Sequence, residues 1–104
     1  MKILYTNNNK FIQDKITHIE KNIELKTLLY QGALNEGRGL ESLIEAMKNI
    51  DATLLLAGEG DLSNQLRHLV KQSNLSNKIK FLGFVKPEEL KTITANATIG
   101  INLL

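Results

Sequence analysis

Short apolar runs and amphipathic stripes alternate along this chain, and the apolar runs begin about 20 to 28 residues apart. The run 52–57 is apolar at nearly every position, which is typical of a strand buried on both faces of a parallel sheet. The alternation predicts βαβ units with right-handed crossovers. We therefore expect a doubly wound α/β fold, in which helices cover a parallel sheet on both faces to make three layers. The predicted strands are residues 27–31, 52–57, 79–82 and 98–104.

The segments between these strands carry helix signals. The first predicted helix has an apolar stripe at helical spacing, formed by Leu40, Leu43, Ile44 and Met47. The second has Asp61 as its expected N-cap. Its apolar stripe is Leu62, Leu66, Leu69 and Val70. The third begins at Pro87, because proline is tolerated in the first turn, and runs to about Ala95 with Leu90 and Ile93 facing inward.

Residues 1–26 form a separate N-terminal part, which we interpret as an edge element or a linker. The run 3–6 is a candidate edge strand, and the three asparagines at 7–9 mark a turn. A helix face is predicted at Phe11, Ile12, Ile16 and Ile19. Residues 27–104 are then the main domain.

The composition excludes several classes of protein. A chain of 104 residues supports one domain, and the absence of cysteine excludes disulfide scaffolds, Fe–S clusters, cysteine zinc sites and thiol nucleophiles. The formal net charge is +2 and the basic residues are scattered, so we expect no nucleic-acid partner. Nothing approaches the ~20 apolar residues of a membrane helix, and the N-terminus turns polar too early for a signal peptide. We expect a cytoplasmic protein.

No catalytic constellation is apparent in the sequence. His18 and His68 are far apart, and we interpret both as surface residues. The carboxylates form no cluster with metal-ligand spacing. The residues alone thus indicate a binding module without catalytic or metal-binding residues.

Candidate binding loops follow the strands, because ligands of such sheets bind beyond the carboxyl ends of the strands. In the loop Gly32–Gly39, glycines allow backbone N–H groups to approach an anion, and Arg38 offers a planar fork of donors to phosphate oxygens. The alternative is an ordinary βα loop, in which Gly39 eases helix packing and Arg38 is merely solvated. The residue pattern does not favour either interpretation.

The second loop contains Gly58, Glu59 and Gly60. It matches only part of a G-x-G-x-x-G dinucleotide fingerprint, because Ser63 occupies the position of the third glycine. Glu59 would also repel a pyrophosphate. A tight turn capped by Asp61 is therefore the favoured interpretation.

Two apolar residues, Phe84 and Val85, follow the strand at 79–82. Apolar side chains just past a strand end either close the core or flank a planar base. On the residues alone, we favour core packing.

Four segments, taken in order, resemble the C-terminal half of a family 4 (group 1) retaining glycosyltransferase with the GT-B fold. They read LYQGALNEGRGL at 29–40, LIEAM at 43–47, LLLAGEG at 54–60 and KIKFLGFV at 78–85. The resemblance covers residues 27–104. It implies a Rossmann-like domain that binds a UDP- or GDP-linked sugar donor, with no metal and no other cofactor.

The resemblance also implies roles for individual residues. The donor phosphates would lie against Gly32, Arg38 and Gly39. The nucleoside would lie against Gly58, Glu59, Gly60, Phe84, Val85 and Leu90. In the family a basic residue usually follows the first glycine, and Ala33 stands there instead. One cationic contact with the diphosphate is then left.

For the whole enzyme, the resemblance implies hexosyl transfer to a glycan or other acceptor held by a separate N-terminal domain, at the inner membrane surface. The family carries two glutamates in the loop after the strand at 98–104, and this chain stops at Leu104. We therefore expect a fragment, with an incomplete domain that transfers no sugar by itself. We also expect the apolar residues of 98–104 to be exposed and to favour self-association.

Two alternatives share this architecture, namely a GT-B sugar-nucleotide epimerase and a non-catalytic α/β interaction module like a receiver domain. The segments 58–60 and 81–85 favour the transferase over the epimerase. A receiver would need acidic residues where Asn7, Asn8 and Gly58 stand. A dinucleotide-binding dehydrogenase domain is disfavoured by the absent third glycine.

Overall fold

A computed structural model describes residues 2–5, 27–97 and 99–102. Its strands are β1 (Lys2–Tyr5), β2 (Thr27–Gln31), β3 (Thr53–Ala57), β4 (Ile79–Gly83) and β5 (Ile99–Asn102). Its helices are α1 (Leu40–Ala46), which a 3₁₀ turn (Met47–Asn49) extends, α2 (Ser63–Gln72) and α3 (Pro87–Asn96). The predicted helix face at residues 11–19 lies outside the described residues.

The strands form one parallel sheet in the order β1-β5-β2-β3-β4. The Rossmann-like α/β fold is thereby confirmed, and the expected N-terminal edge strand is present as β1 beside β5. β5 pairs with β1 on one side and β2 on the other. The expected exposure of this strand is wrong for its described apolar residues, since Ile99 is 0% exposed and Ile101 is also buried. A central strand with helices packed on the sheet leaves these side chains no access to water.

Apolar side chains pack on both faces of the sheet, as three layers require. Leu28 and Tyr30 belong to one cluster and Leu29 to another, because alternate residues of a strand point to opposite faces. The predicted stripe of α1 is buried in the first cluster in full: Leu40, Leu43, Ile44 and Met47. α3 covers the second face, with Leu90 and Ile93 packed on the cluster that contains Leu29.

The start of α2 differs from the prediction. The N-cap position is Leu62, one residue after Asp61, and no side chain caps it. The backbone N–H of Asp61 instead donates to Asn35 Oδ1 at 2.9 Å. The hydroxyl of Ser63 accepts the N–H of Gly60 at 2.9 Å. The backbone of Asp61 thus contacts the loop before α1, and the helix begins one residue later than predicted.

Leu54, which is 0% exposed in the middle of β3, provides a test of the packing. Leu54→Ala should lower the free energy of unfolding by about 3 kcal/mol, since it removes transfer energy and leaves a cavity. The matched control is Leu82→Ala on β4, where the side chain is 36% exposed and the cost should be below about 1 kcal/mol. Urea denaturation measures both, and equal losses would contradict this packing.

Candidate functional site

A cleft of about 440 Å³ opens at the edge of the sheet where β2, β3 and β4 have their carboxyl ends. Parallel pairing places these three ends side by side, so the loops that follow them meet. The cleft is lined by residues from all three loops and from the first turn of α3: Gln31, Gly32, Ala33, Ala57, Gly58, Glu59, Phe84, Val85 and Leu90. Six of the nine predicted site residues are among them.

Backbone hydrogen bonds also join the loops that follow the strands. The pairs, donor first, are Gly32 N to Ala57 O (3.0 Å), Leu34 N to Glu59 O (3.2 Å), Leu62 N to Leu34 O (2.8 Å) and Gly58 N to Gly83 O (2.8 Å). They join the loops after β2, β3 and β4 into one hydrogen-bonded unit. The cleft therefore has walls whose backbone positions are fixed by one another.

Two glycines of the second loop are required by this close approach. Gly58 has φ +149°, and a Cβ there would collide with the carbonyl oxygen of Gly32. A Cβ on Gly60 would collide with Asn35 Oδ1 and with the backbone of Leu34. Gly58 lines the cleft, whereas Gly60 does not. In this structure Gly60 serves the packing of one loop on the other.

Tyr30, which sequence reasoning did not select, supports the first loop from below. Its buried phenol donates a hydrogen bond to the carbonyl oxygen of Ala33 at 2.7 Å and lies against Gly32. Burial raises the pKa of the Tyr30 phenol, and the positive charge of Arg38 partly offsets this rise. The sequence signal that could have identified Tyr30 is an aromatic residue two positions before the glycine that follows the strand.

The expected repulsion by Glu59 is countered by a partner from α2. The Arg67 guanidinium contacts both carboxylate oxygens, at 2.7 Å to Oε1 and 3.4 Å to Oε2. It also lies over the ring of Phe81, 5.0 Å from the centroid. These hydrogen bonds from Arg67, and then one from Ser63, hold the pKa of the Glu59 carboxyl below its usual value. Arg67 was missed because no sequence motif marks a pairing eight residues apart.

Phe84 and Val85 differ in burial at the mouth of the cleft. Phe84 is 83% exposed, so the prediction of core packing is wrong for this residue. β4 is an edge strand, and the chain turns at Gly83 with φ +68°, which carries the next side chain away from the core. Val85 and Leu90 are half-buried and pack against the apolar cluster that contains Leu29.

Arg38 and Gly39 lie outside the cleft. The side chain of Arg38 is exposed, in the turn that precedes α1. Gly39 is the N-cap residue of α1 with φ 73°, and its carbonyl oxygen accepts the N–H of Leu43 at 3.1 Å. Of the three residues assigned to the donor phosphates, Gly32 alone lines the cleft.

In the described part of the chain, no group of three or more histidine, aspartate or glutamate side chains is placed to hold a metal ion. Over the same residues, the helices are too short or too polar to cross a membrane.

The contact between Gly58 and Gly32 can be tested by substitution. Gly58→Ala should lower the free energy of unfolding by at least about 3 kcal/mol, because it adds both a strained φ and a backbone collision. The matched control is Gly37→Ala, which has φ +85° but open space around the added methyl, and should cost about 1 kcal/mol. Urea denaturation measures both variants. A similar cost at the two positions would contradict the loop contact.

Comparison of the sequence with known proteins shows what this chain is similar to. Residues 11–101 match the family described as Glycosyl transferases group 1. One uncharacterized glycosyltransferase of Methanocaldococcus jannaschii is 37% identical over 80 residues, which is 73% of this chain and 20% of that protein. A second one from the same organism is 35% identical over 60 residues, covering 53% of this chain and 15% of that protein.

A further relative is named for its reaction. It is the N-acetylgalactosamine-N,N'-diacetylbacillosaminyl-diphospho-undecaprenol 4-alpha-N-acetylgalactosaminyltransferase of Campylobacter jejuni, 38% identical over 61 residues. The match covers 57% of this chain and 17% of that enzyme. The matched regions span a fifth or less of each of these relatives. By the family match over residues 11–101, the chain belongs to the group 1 glycosyltransferases.

Proposed function

We propose that residues 27–104 are the donor-binding part of a family 4 retaining glycosyltransferase with the GT-B fold, and that the cleft binds a nucleoside diphosphate sugar. The observation that carries this proposal is the cleft itself, at the carboxyl ends of β2, β3 and β4. This is where α/β sheets bind nucleotides, and about 440 Å³ falls within the usual range for small-ligand pockets.

The nucleoside is proposed to occupy the apolar side of the cleft. Val85 and Leu90 provide an apolar floor, since both line the cleft and pack on the cluster beneath. Phe84 presents an exposed ring at the mouth, and a solvated aromatic ring is a platform on which a base can stack. The backbone N–H and C=O of Val85 are the proposed contacts with the edge of the base.

The diphosphate is proposed to lie toward the first loop, near Gly32. The amides of Gly32 and Leu34 are used to join the loops, but those of Gly37 and Gly39 form no backbone hydrogen bond with another described residue. These amides are available to an anion. Arg38 is exposed and free to turn toward the bound diphosphate, where its guanidinium would supply the cationic contact.

For the whole protein, we propose hexosyl transfer from a UDP- or GDP-sugar to a glycan acceptor held by a second domain. The Campylobacter relative is named for a diphospho-undecaprenol acceptor. A lipid-linked acceptor of that type would place the reaction at the cytoplasmic surface of the inner membrane. The expectation that this chain alone transfers no sugar stays a prediction.

Nucleotide binding can be measured by calorimetry or NMR with UDP and GDP. We expect one of them to bind, and Phe84→Ala to weaken that binding about tenfold, since one stacking contact with a base is lost. The matched control is Leu82→Ala, which removes an exposed apolar side chain from β4, just before Phe84 and outside the cleft. Equal affinities for the Phe84→Ala variant and the unsubstituted chain would rule out stacking, and no binding of either nucleotide would contradict the proposed function.

Arg38 is tested by comparing a nucleotide with its nucleoside. Arg38→Gln should weaken binding of the diphosphate about tenfold, because a charge-assisted hydrogen bond is removed, and should leave binding of the nucleoside unchanged. Lys48→Gln, an exposed cation beyond α1, is the control for net charge. A loss that is the same for nucleoside and diphosphate would contradict the assignment of Arg38 to the phosphates.

A further inference from the structure

Among the described residues that line the cleft, Glu59 is the one that carries a charge. An unpaired carboxylate there would repel the phosphates of a nucleotide. The sequence offers this as a reason against an anionic ligand, and the structure places a guanidinium against that carboxylate.

Arg67 reaches Glu59 from the second turn of α2 and is not itself among the residues that line the cleft. Its two terminal nitrogens contact the two carboxylate oxygens. This bidentate arrangement fixes the orientation of the carboxylate relative to the guanidinium as well as their separation. The ring of Phe81 lies beneath the guanidinium and limits where it can move. Phe81, Arg67 and Glu59 therefore form a stack that ends at the wall of the cleft, which we call the Arg67 stack.

We infer that Arg67 is a positioning residue for the donor cleft, where it turns the Glu59 carboxylate toward α2 and neutralises its charge so that an anionic nucleotide can bind. This inference rests on the proposed function. Both side chains keep contact with water, with 40% of Arg67 and 26% of Glu59 exposed. A pair that is this exposed contributes little to folding stability. Its main effect is on the charge that the cleft presents to a ligand.

A purely structural role for Arg67 is the competing explanation. The backbone of Glu59 also holds the first loop, since its carbonyl oxygen accepts the N–H of Leu34 at 3.2 Å. Loss of Arg67 could then act through loop position alone. The two explanations differ when Glu59 is neutralised in the same chain, because only an electrostatic role is relieved by removing the carboxylate charge.

The first measurement needs no ligand. The side-chain carboxyl signal of Glu59 is followed by NMR against pH, in the unsubstituted chain and in Arg67→Met, which keeps an apolar stem on Phe81. The pKa of Glu59 should rise in Arg67→Met, since its main hydrogen-bonding partner is lost while the Ser63 hydroxyl remains. An unchanged pKa would overturn the inference.

The second measurement is the affinity for UDP and GDP at low and high salt. Arg67→Met should bind the preferred nucleotide about fivefold more weakly at low salt, and the loss should shrink as salt screens the exposed carboxylate. Arg67→Lys, which retains the charge but not the bidentate geometry, should lose less affinity than Arg67→Met. Lys71→Met removes a cation one turn further along α2 and should leave affinity unchanged.

The double variant Glu59→Gln with Arg67→Met decides between the two explanations. Binding at least threefold tighter than in Arg67→Met alone is the expected result, because no unpaired charge remains. Binding as weak as in Arg67→Met, at every salt concentration, would overturn the inference. If neither nucleotide binds the unsubstituted chain, the proposed function fails, and the pKa measurement still reports on the Arg67 stack separately.

Discussion

Backbone pairing that continues past the ends of the parallel strands is the constraint on which the cleft depends. Gly32 N–H reaches Ala57 O and Gly58 N–H reaches Gly83 O, so each loop starts from a position dictated by its neighbour. A side chain at Gly58 would separate the first two loops. Two side chains hold these loops further. The phenol of Tyr30 bonds to Ala33 in the first loop, and Arg67 pairs with Glu59 in the second. The site is accordingly a property of the sheet edge and of no single loop.

This dependence explains which features could be predicted from the sequence. The strands and the stripe of α1 were predictable, because burial imposes a period on residues close in the chain. Most of the cleft lining could be selected as well, since parallel strands bring their carboxyl ends together. The N-cap of α2 could not be predicted, because the backbone N–H of Asp61 donates a hydrogen bond to the side chain of Asn35, 26 residues earlier in the chain. The exposure of Phe84 also follows from spatial order, which makes β4 an edge.

The cleft and the turn before α1 differ in chemistry in a way that suits the proposed amphipathic ligand. Val85 and Leu90 offer apolar surface, whereas the turn before α1 offers amides and an exposed arginine. Glu59 also lines the cleft, and its charge is paired with that of Arg67. A nucleoside diphosphate has the same division, with a planar base at one end and anionic oxygens at the other. The family to which the chain belongs is in keeping with such a ligand.

The most direct test is to locate the nucleotide on the protein by intermolecular nuclear Overhauser effects. With UDP or GDP bound, the base and ribose protons should show contacts to the Phe84 ring and to the methyl groups of Val85 and Leu90. Contacts to Leu66 and Leu69 instead would place the ligand in the groove between α1 and α2. That result would contradict the account, because the nucleotide would then lie away from the carboxyl ends of the strands.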